Sequence, residues 1–289
     1  MISPTHKRLR INHILHKVQV QNEGNSVNLP RKTFSGKTLS PTKKPSGNAL
    51  ARSIVFDDAL SAISHVLHVR NTKGHFKNSP EIPRVIMLHQ LYSIVVNPTS
   101  IDKEIVHLCQ EGKLRKLKIG DFQDEYGLML MEDYIKEIEV VKEQLTASLK
   151  SIEFLDKFQN MIFTVKCMDV TITRAGLSNY MEASEEDITK LISMGFLTIA
   201  NAHTFHFCVR NAGSFISNFV KGRREIMRTL KRRKYKELLE KQLEARKILG
   251  SDFSVKFHLL DLIGSGRCES IPTTSGELIK LTKKGLDET

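Results

Sequence analysis

The residues best suited to chemistry in this sequence are the lysines and arginines of segment 221–247. The segment holds twelve Lys or Arg and four Glu, a net charge of +8. Ammonium and guanidinium groups at this density bind phosphates, and that attraction needs no particular base sequence. The competing interpretation is a solvated helix face, which is the usual role of a run of charge.

A helical wheel of about 100° per residue sorts segment 221–247 into two faces. Apolar residues form one face, and the other consists of Lys221, Arg224, Arg228, Lys231 and Arg232. Arg223 and Lys234 break the pattern, because both would point into the apolar face. We therefore expect the helix to be interrupted at Gly222, since glycine lowers helix propensity by ~1 kcal/mol relative to alanine. We expect a second interruption at 232–234.

Positive charge is concentrated in two segments of the 289-residue chain. The chain carries +12 in total, and residues 1–50 hold nine Lys or Arg and one Glu, a net charge of +8. Together with 221–247 they carry +16, so the rest of the chain sums to −4. This distribution favours a nucleic acid or an acidic protein as partner. A membrane surface is disfavoured, because the apolar face of the basic helix is interrupted and lacks Trp.

The cysteines and the hydropathy pattern indicate a soluble protein of a reducing compartment, the cytosol or the nucleus. Cys109, Cys167, Cys208 and Cys268 are far apart and show no CxxC spacing, which argues against a zinc ribbon or a disulfide framework. No apolar run reaches ~18 residues, and the N-terminus lacks the apolar core of a secretory signal.

Residues 1–50 are rich in Pro, Ser, Thr, Asn and Lys, a composition typical of disorder. Their basic clusters at 6–10 and 43–44 fit a nuclear localisation signal or a nonspecific phosphate-binding tail. We predict a disordered basic tail.

Residues 51–143 follow the order of a winged helix, which is three helices and then a β-hairpin. Asn97 and Pro98 give the third helix an N-cap followed by proline, and Gly112 closes it. The predicted elements are helices at 54–67, 82–95 and 98–108 and strands at 113–119 and 128–131.

Residues 144–220 repeat that order. Ser184 to Asp187 has the form of a capping box, and Gly195, like Gly112, ends a helix and leads directly into a strand. The predicted elements are helices at 152–162, 171–180 and 188–194 and strands at 196–200 and 205–209.

Residues 221–283 give a shorter third unit with helices at 235–243 and 255–263 and strands at 268–271 and 277–281. The predicted fold is α+β, mostly α: three tandem winged-helix domains at 51–143, 144–220 and 221–283, preceded by the disordered basic tail. Winged-helix modules place a helix in the major groove of DNA and a hairpin over the backbone.

Catalytic motifs are missing from the sequence. It contains no Walker A loop, GxGxxG, HRD, DFG, HExxH or GxSxG motif, and so no catalytic residue, metal site or cofactor is predicted. His203 and His206 lie near a predicted hairpin and are more readily surface or core residues than ligands. Tyr235 is the only aromatic residue among the basic ones, which favours duplex backbone contact over stacking on single-stranded bases.

Several strings of residues resemble the serine/threonine-protein kinase 19 family. They are FVKGR at 219–223, KYKELL at 234–239, DLIG at 261–264, TTSGEL at 273–278, QLYS at 90–93 and EDY at 132–134. The resemblance covers roughly 80–282.

The resemblance implies three winged-helix domains that bind double-stranded DNA, without kinase activity despite the family name. It also implies a nuclear role in transcription-coupled nucleotide excision repair, with RNA polymerase II, the Cockayne-syndrome factors and TFIIH as partners. The positions that match the family's DNA-contacting residues are Lys231, Arg232, Lys234, Arg246 and Lys247.

The leading hypothesis is a nuclear, non-enzymatic DNA-binding adaptor. Its predicted DNA-binding residues are Lys221, Arg223, Arg224, Arg228, Lys231, Arg232, Arg233, Lys234, Arg246 and Lys247. The alternatives are a protein kinase, as the family name says, and an interaction module whose basic face meets an acidic protein.

Overall fold

The computed structural model describes residues 56–70, 82–119, 126–148, 151–164 and 169–288. The predicted basic tail at 1–50 lies outside the described residues. Within the described part of the chain, helices alternate with three small antiparallel sheets of three strands each.

The first sheet belongs to a unit whose elements are α1 (Ala59–Arg70), β1 (Ile86–Met87), α2 (Leu88–Tyr92), α3 (Pro98–Gln110), β2 (Leu114–Lys118) and β3 (Tyr126–Leu130). Helix α4 (Met131–Ala147) leaves this first unit and leads to the second.

The second unit consists of α5 (Glu153–Thr164), β4 (Thr171–Thr173), α6 (Arg174–Met181), α7 (Glu185–Ser193), β5 (Leu197–Asn201) and β6 (Thr204–Phe207). The long helix α8 (Ala212–Lys231) follows. The third unit continues with β7 (Glu237–Leu239), α9 (Glu240–Glu244), α10 (Val255–Gly264), β8 (Cys268–Thr273), β9 (Gly276–Leu281) and α11 (Lys283–Asp287).

All three sheets have the same strand order. In each, the last strand along the chain is central, the second strand pairs on one side of it and the short first strand on the other. The first strand joins by the pairs Ile86 with Leu128, Ile172 with Phe205 and Leu238 with Ile279. This mixed α and β structure is compatible with a winged-helix fold.

Several local predictions are confirmed. The Asn97 side chain accepts hydrogen bonds from the backbone N–H groups of Thr99 and Ser100 at the start of α3. Ser184 and Asp187 form the predicted capping box at α7. Gly112 and Gly195 both adopt a positive φ directly after their helices, a backbone conformation in which an L side chain is strained.

Three predicted helices were wrong in part, because each contains the first strand of its sheet. Strand β1 lies inside the range 82–95, β4 inside 171–180 and β7 inside 235–243. Strands of two or three residues are too short to display alternation, and they form because a distant central strand supplies hydrogen bonds.

Helix α4 was not predicted. It buries Tyr134, Ile138 and Val141 against the core. The Tyr134 hydroxyl donates a hydrogen bond of 3.0 Å to the backbone oxygen of Cys208, and α4 therefore joins the first unit to the second.

Helix α8 runs without interruption through Gly222, so the predicted break there was wrong. A Cβ atom at residue 222 would lie 2.0 Å from Nε2 of His258, and the close approach of α8 to α10 requires glycine. The packing outweighs the low helix propensity of glycine, about 1 kcal/mol. The second predicted break is confirmed, because α8 ends at Lys231 with Arg232 as its C-cap.

Helix α10 of the third unit packs against the first unit. The Gln90 amide donates a 2.8 Å hydrogen bond to the backbone oxygen of Phe257, and the Ser254 hydroxyl donates one of 2.7 Å to that of Val69. Seven of the ten α10 residues are buried, and this helix is therefore a structural link between the two units.

Candidate nucleic-acid interface

Helix α8 presents four of the predicted cations on one exposed face. Lys221, Arg224, Arg228 and Lys231 are spaced by three or four residues, which places them one above another on a helix. All four are exposed. The opposite face of the helix buries Phe219, Ile226, Met227 and Leu230 in the protein core.

The turn after α8 holds the next three cations, Arg232, Arg233 and Lys234, all exposed. Lys236 closes the turn with a left-handed backbone, φ 59°. Its ammonium donates a 2.6 Å hydrogen bond to the backbone oxygen of Lys231, and its own backbone oxygen accepts one of 3.0 Å from the N–H of Leu281. The backbone that carries these cations is therefore held from both ends.

Arg246 is brought beside this turn although it lies thirteen residues after Arg233 in the sequence. Both residues line one open groove, together with Leu238, Gln242 and Ala245. Lys247 follows Arg246 and is exposed. The structure thus joins the two basic parts of segment 221–247 at the groove.

Arg223 is a correction to the predicted site, because its side chain is buried and cannot reach a phosphate. Its Nε lies 2.9 Å from Oδ2 of Asp261 and its Nη2 lies 3.1 Å from Oδ1. The guanidinium also lies 4.6 Å from the ring centroid of Phe219. The wheel placed Arg223 on the apolar face, and the buried Asp261 explains why a cation is stable there.

The nine remaining predicted residues form what we call the basic surface: Lys221, Arg224, Arg228, Lys231, Arg232, Arg233, Lys234, Arg246 and Lys247. None of them makes a salt bridge with a carboxylate of the described residues. By contrast, cations of the first two units such as Arg84, Lys136, Arg174 and Lys190 are each paired with an acid. Repulsion among the nine cations is therefore not relieved by pairing with described acids, which favours an anionic partner.

Lys283 and Lys284 extend the basic surface and were not predicted. Helix α11 packs against α8, and the backbone bond between Leu281 and Lys236 places its start beside the turn. Both lysines are exposed, although the Lys284 ammonium also donates to the backbone oxygen of Ser265 at 2.9 Å. The adjacent pair of lysines was visible in the sequence, but its position beside the turn was not.

The third helix of each unit, which in a helix-turn-helix enters the major groove, is poorly suited to that role here. Helix α10 is buried against the first unit. Helix α7 begins with Glu185, Glu186 and Asp187, which would repel phosphates. The exposed face of α3 carries both Asp102 and Lys103, and therefore no net positive charge from that pair.

Other classes of site find little support in the described residues. No group of three or more His, Cys, Asp or Glu side chains there is arranged to hold a metal ion. No described helix is long and apolar enough to cross a membrane. His203 is exposed, and His206 is half-buried with its pKa lowered by burial and by the charge of Lys118. Cys208 and Cys268 are buried free thiols, and Cys109 is buried.

Known proteins resemble this chain over most of its length. It is 27% identical over 226 residues to human "Winged helix repair factor 1". The aligned region covers 77% of this chain and 85% of the human protein. The chain is 31% identical over 214 residues to the protein of the same name in Dictyostelium discoideum, covering 62% of this chain and 54% of that one.

A relative in Schizosaccharomyces pombe, "Serine/threonine-protein kinase mug51", is 28% identical over 219 residues and covers 72% of this chain and 69% of its own length. The model of the family described as inactive serine-threonine protein kinase 19 matches residues 59–281. The chain belongs to the inactive serine-threonine protein kinase 19 family.

Proposed function

We propose that this protein is a non-enzymatic adaptor that binds double-stranded DNA in the nucleus through the basic surface. The observation that carries the proposal is the set of nine exposed cations, none of which is paired with a carboxylate of the described residues. The three sheets of identical strand order support three tandem winged-helix domains. We propose them at 51–143, 144–220 and 221–283, with the bounds at 143/144 and 220/221 falling within α4 and α8.

The mode of binding follows from the position of the cations. They lie on the exposed face of α8, on the turn after it and beside the protein groove at Arg246. None of them lies on a helix that is free to enter a groove of DNA. We expect contacts to phosphates and little base readout. If about five to seven phosphates are engaged, the logarithm of the association constant falls with log[salt] at a slope of roughly −4.5 to −6.

The biological setting is proposed from the relatives. Two of them are named repair factors, and the family resemblance implies transcription-coupled nucleotide excision repair. We propose that this chain acts in that process, with stalled RNA polymerase II, the Cockayne-syndrome factors and TFIIH as partners. DNA binding by the basic surface would hold the protein beside the damaged template while its partners assemble.

The kinase alternative rests on the family name, and one relative, that of S. pombe, is also named a kinase. Calorimetry with ATP and Mg²⁺ on the pure protein, together with a phosphotransfer assay, decides it, since a kinase must bind nucleotide stoichiometrically and transfer its phosphoryl group. The interaction-module alternative predicts that duplex DNA alone binds weakly and that an acidic protein competes with it for the same surface.

DNA binding is tested by measuring the affinity for duplex DNA at several salt concentrations. Two double variants are compared, each of which reverses two positive charges, so that both change the net charge equally. Arg233→Glu/Lys234→Glu alters the turn, where both side chains are exposed. Lys103→Glu/Lys157→Glu alters exposed or half-exposed lysines of α3 and α5. We expect the first variant to lower the magnitude of the salt slope by about 2, because each of its two substitutions removes a cation that neutralises one phosphate.

The control variant, Lys103→Glu/Lys157→Glu, distinguishes binding by the basic surface from an effect of the protein's total charge. We expect it to retain wild-type affinity to within a few fold, as measured by fluorescence anisotropy. Equal losses in both variants, or no loss in either, would sink the assignment of the basic surface. Thermal melts of both variants check that each is folded.

A further inference from the structure

Tyr235 is a large aromatic side chain left exposed in the middle of the basic surface. It lies in the turn between α8 and β7, and 64% of its surface is exposed. Its neighbours in the turn are Arg233, Lys234 and Lys236. The ammonium of Lys234 lies over the ring, 5.2 Å from its centroid, and the side chain as a whole stays open to solvent.

The backbone around Tyr235 is held on both sides. The N–H of Lys236 donates a 3.1 Å hydrogen bond to the backbone oxygen of Arg233, and the Lys236 oxygen is held by the N–H of Leu281. The left-handed backbone of Lys236 fixes the direction in which the chain leaves the turn. An aromatic ring on such a support loses little conformational entropy when it is immobilised by a ligand.

The cations around the ring attract a polyanion such as DNA. The ring itself can stack only on a base whose π-face is exposed. In continuous duplex DNA both faces of every internal base are covered by neighbouring bases. At a junction of duplex and single strand the terminal pair or the first unpaired base presents a free face, on which an aromatic side chain stacks. The scarcity of aromatic residues in 221–247 argues against binding a long single strand, but one junction base needs only one ring.

We propose that Tyr235 stacks on the exposed base at a junction between duplex and single-stranded DNA, so that the basic surface binds distorted DNA more tightly than continuous duplex. This inference rests on the proposed DNA binding of the same surface. The cations supply affinity for either DNA, and Tyr235 supplies the difference between them.

The test compares the affinity for a continuous duplex with that for a duplex of equal length and phosphate number containing an unpaired bubble, at one salt concentration. We expect the wild-type protein to prefer the bubble by about 10-fold, a typical effect of one base–aromatic stack. Tyr235→Ala should abolish the preference without changing the affinity for continuous duplex, and Tyr235→Phe should retain it. Tyr180→Ala, which removes a similarly exposed ring (57%) of the second unit, is the matched control.

A direct readout is available because the chain contains no tryptophan. Tyr235→Trp and Tyr180→Trp each introduce the only tryptophan of the chain, whose fluorescence is excited separately from that of the remaining tyrosines. Stacking on a base quenches indole fluorescence, so we expect quenching by bubble DNA only for the variant at 235.

The outcomes separate this inference from the proposed function. If the protein binds continuous duplex through Arg233 and Lys234 but Tyr235→Ala leaves the bubble preference unchanged, only the role of Tyr235 is overturned. Absence of any bubble preference in the wild-type protein has the same consequence. If neither DNA binds, both proposals fail.

Discussion

The guanidinium of Arg223 and the carboxylate of Asp261 form a two-point ion pair that joins α8 to α10. Their atoms meet at 2.9 Å and 3.1 Å, and both side chains are almost completely buried. The pair lies beneath the basic surface, and Arg223 immediately precedes the exposed Arg224 in the sequence. Adjacent arginines of one helix therefore have different roles, one in packing and one facing solvent.

Arg223→Ala should destabilise the protein by about 3–5 kcal/mol, because it breaks a buried ion pair and leaves the Asp261 carboxylate buried without the Arg223 guanidinium. Urea unfolding followed by circular dichroism measures this loss. Arg224→Ala is the matched control, since an exposed substitution usually changes the free energy of unfolding by less than about 0.5 kcal/mol. Comparable stabilities for the two variants would contradict the ion pair.

Gly264→Ala should loosen the contact between the third unit and the first. A Cβ at this position would lie 1.7 Å from the backbone oxygen of His89, an atom that cannot rotate away as a side chain can. We expect a loss of at least about 1–3 kcal/mol, the usual cost of overpacking. Gly213→Ala, where no atom lies within 4 Å of the added Cβ, should cost nothing. Thermal melting of the two variants checks this contrast.

His258 should make the protein less stable in mild acid. Burial, and then the charge of Arg223, lower the pKa of its imidazole from 6.5 to about 3. As the pH falls below 6.5, the unfolded chain takes up a proton that the folded protein excludes. Above pH 6.5 His258 therefore costs the folded protein no free energy of unfolding. Between pH 6.5 and pH 3 that free energy falls by up to about 1.4 kcal/mol per pH unit.

The measurement is the free energy of unfolding in urea between pH 7.5 and pH 5, for wild type and for His258→Gln. We expect the variant to show a flatter pH dependence, whatever its stability at pH 7.5. His65 and His206 also have lowered pKa values, each mainly through burial, so some slope of the same sign should persist. Identical slopes would contradict the buried neutral imidazole.

What could be predicted from the sequence depends on how far apart the interacting residues lie. The N-cap at Asn97 and the capping box at Ser184 are set by residues two or three positions away, and both were predictable. Strand β1 was not, because Ile86 pairs with Leu128 and no local pattern records that partner. Helix continuity at Gly222 likewise depends on His258, which belongs to another helix.

The same distinction applies to the candidate site. The exposed face of α8 could be predicted, because helical periodicity alone separates Lys221 and Arg224 from the apolar residues. The wheel also placed Arg223 on the apolar face, but the acid that stabilises a buried cation there could not be predicted, since Asp261 lies 38 residues later. Nor could the position of Arg233 and Arg246 on the same groove, because they lie thirteen residues apart in the sequence.

Lys283→Glu should weaken duplex binding although the residue lies outside segment 221–247. Helix α11 holds Lys283 beside the basic turn, and an added phosphate contact there contributes about 1 to the magnitude of the salt slope. Glutamate at the first position of α11, next to the Thr282 cap, does not oppose the helix dipole, so the variant should remain as stable as wild type. Salt-titrated anisotropy is the measurement, with Lys103→Glu on α3 as the single-charge control. If both variants lose affinity equally, the effect is one of total charge, and the basic surface does not extend to α11.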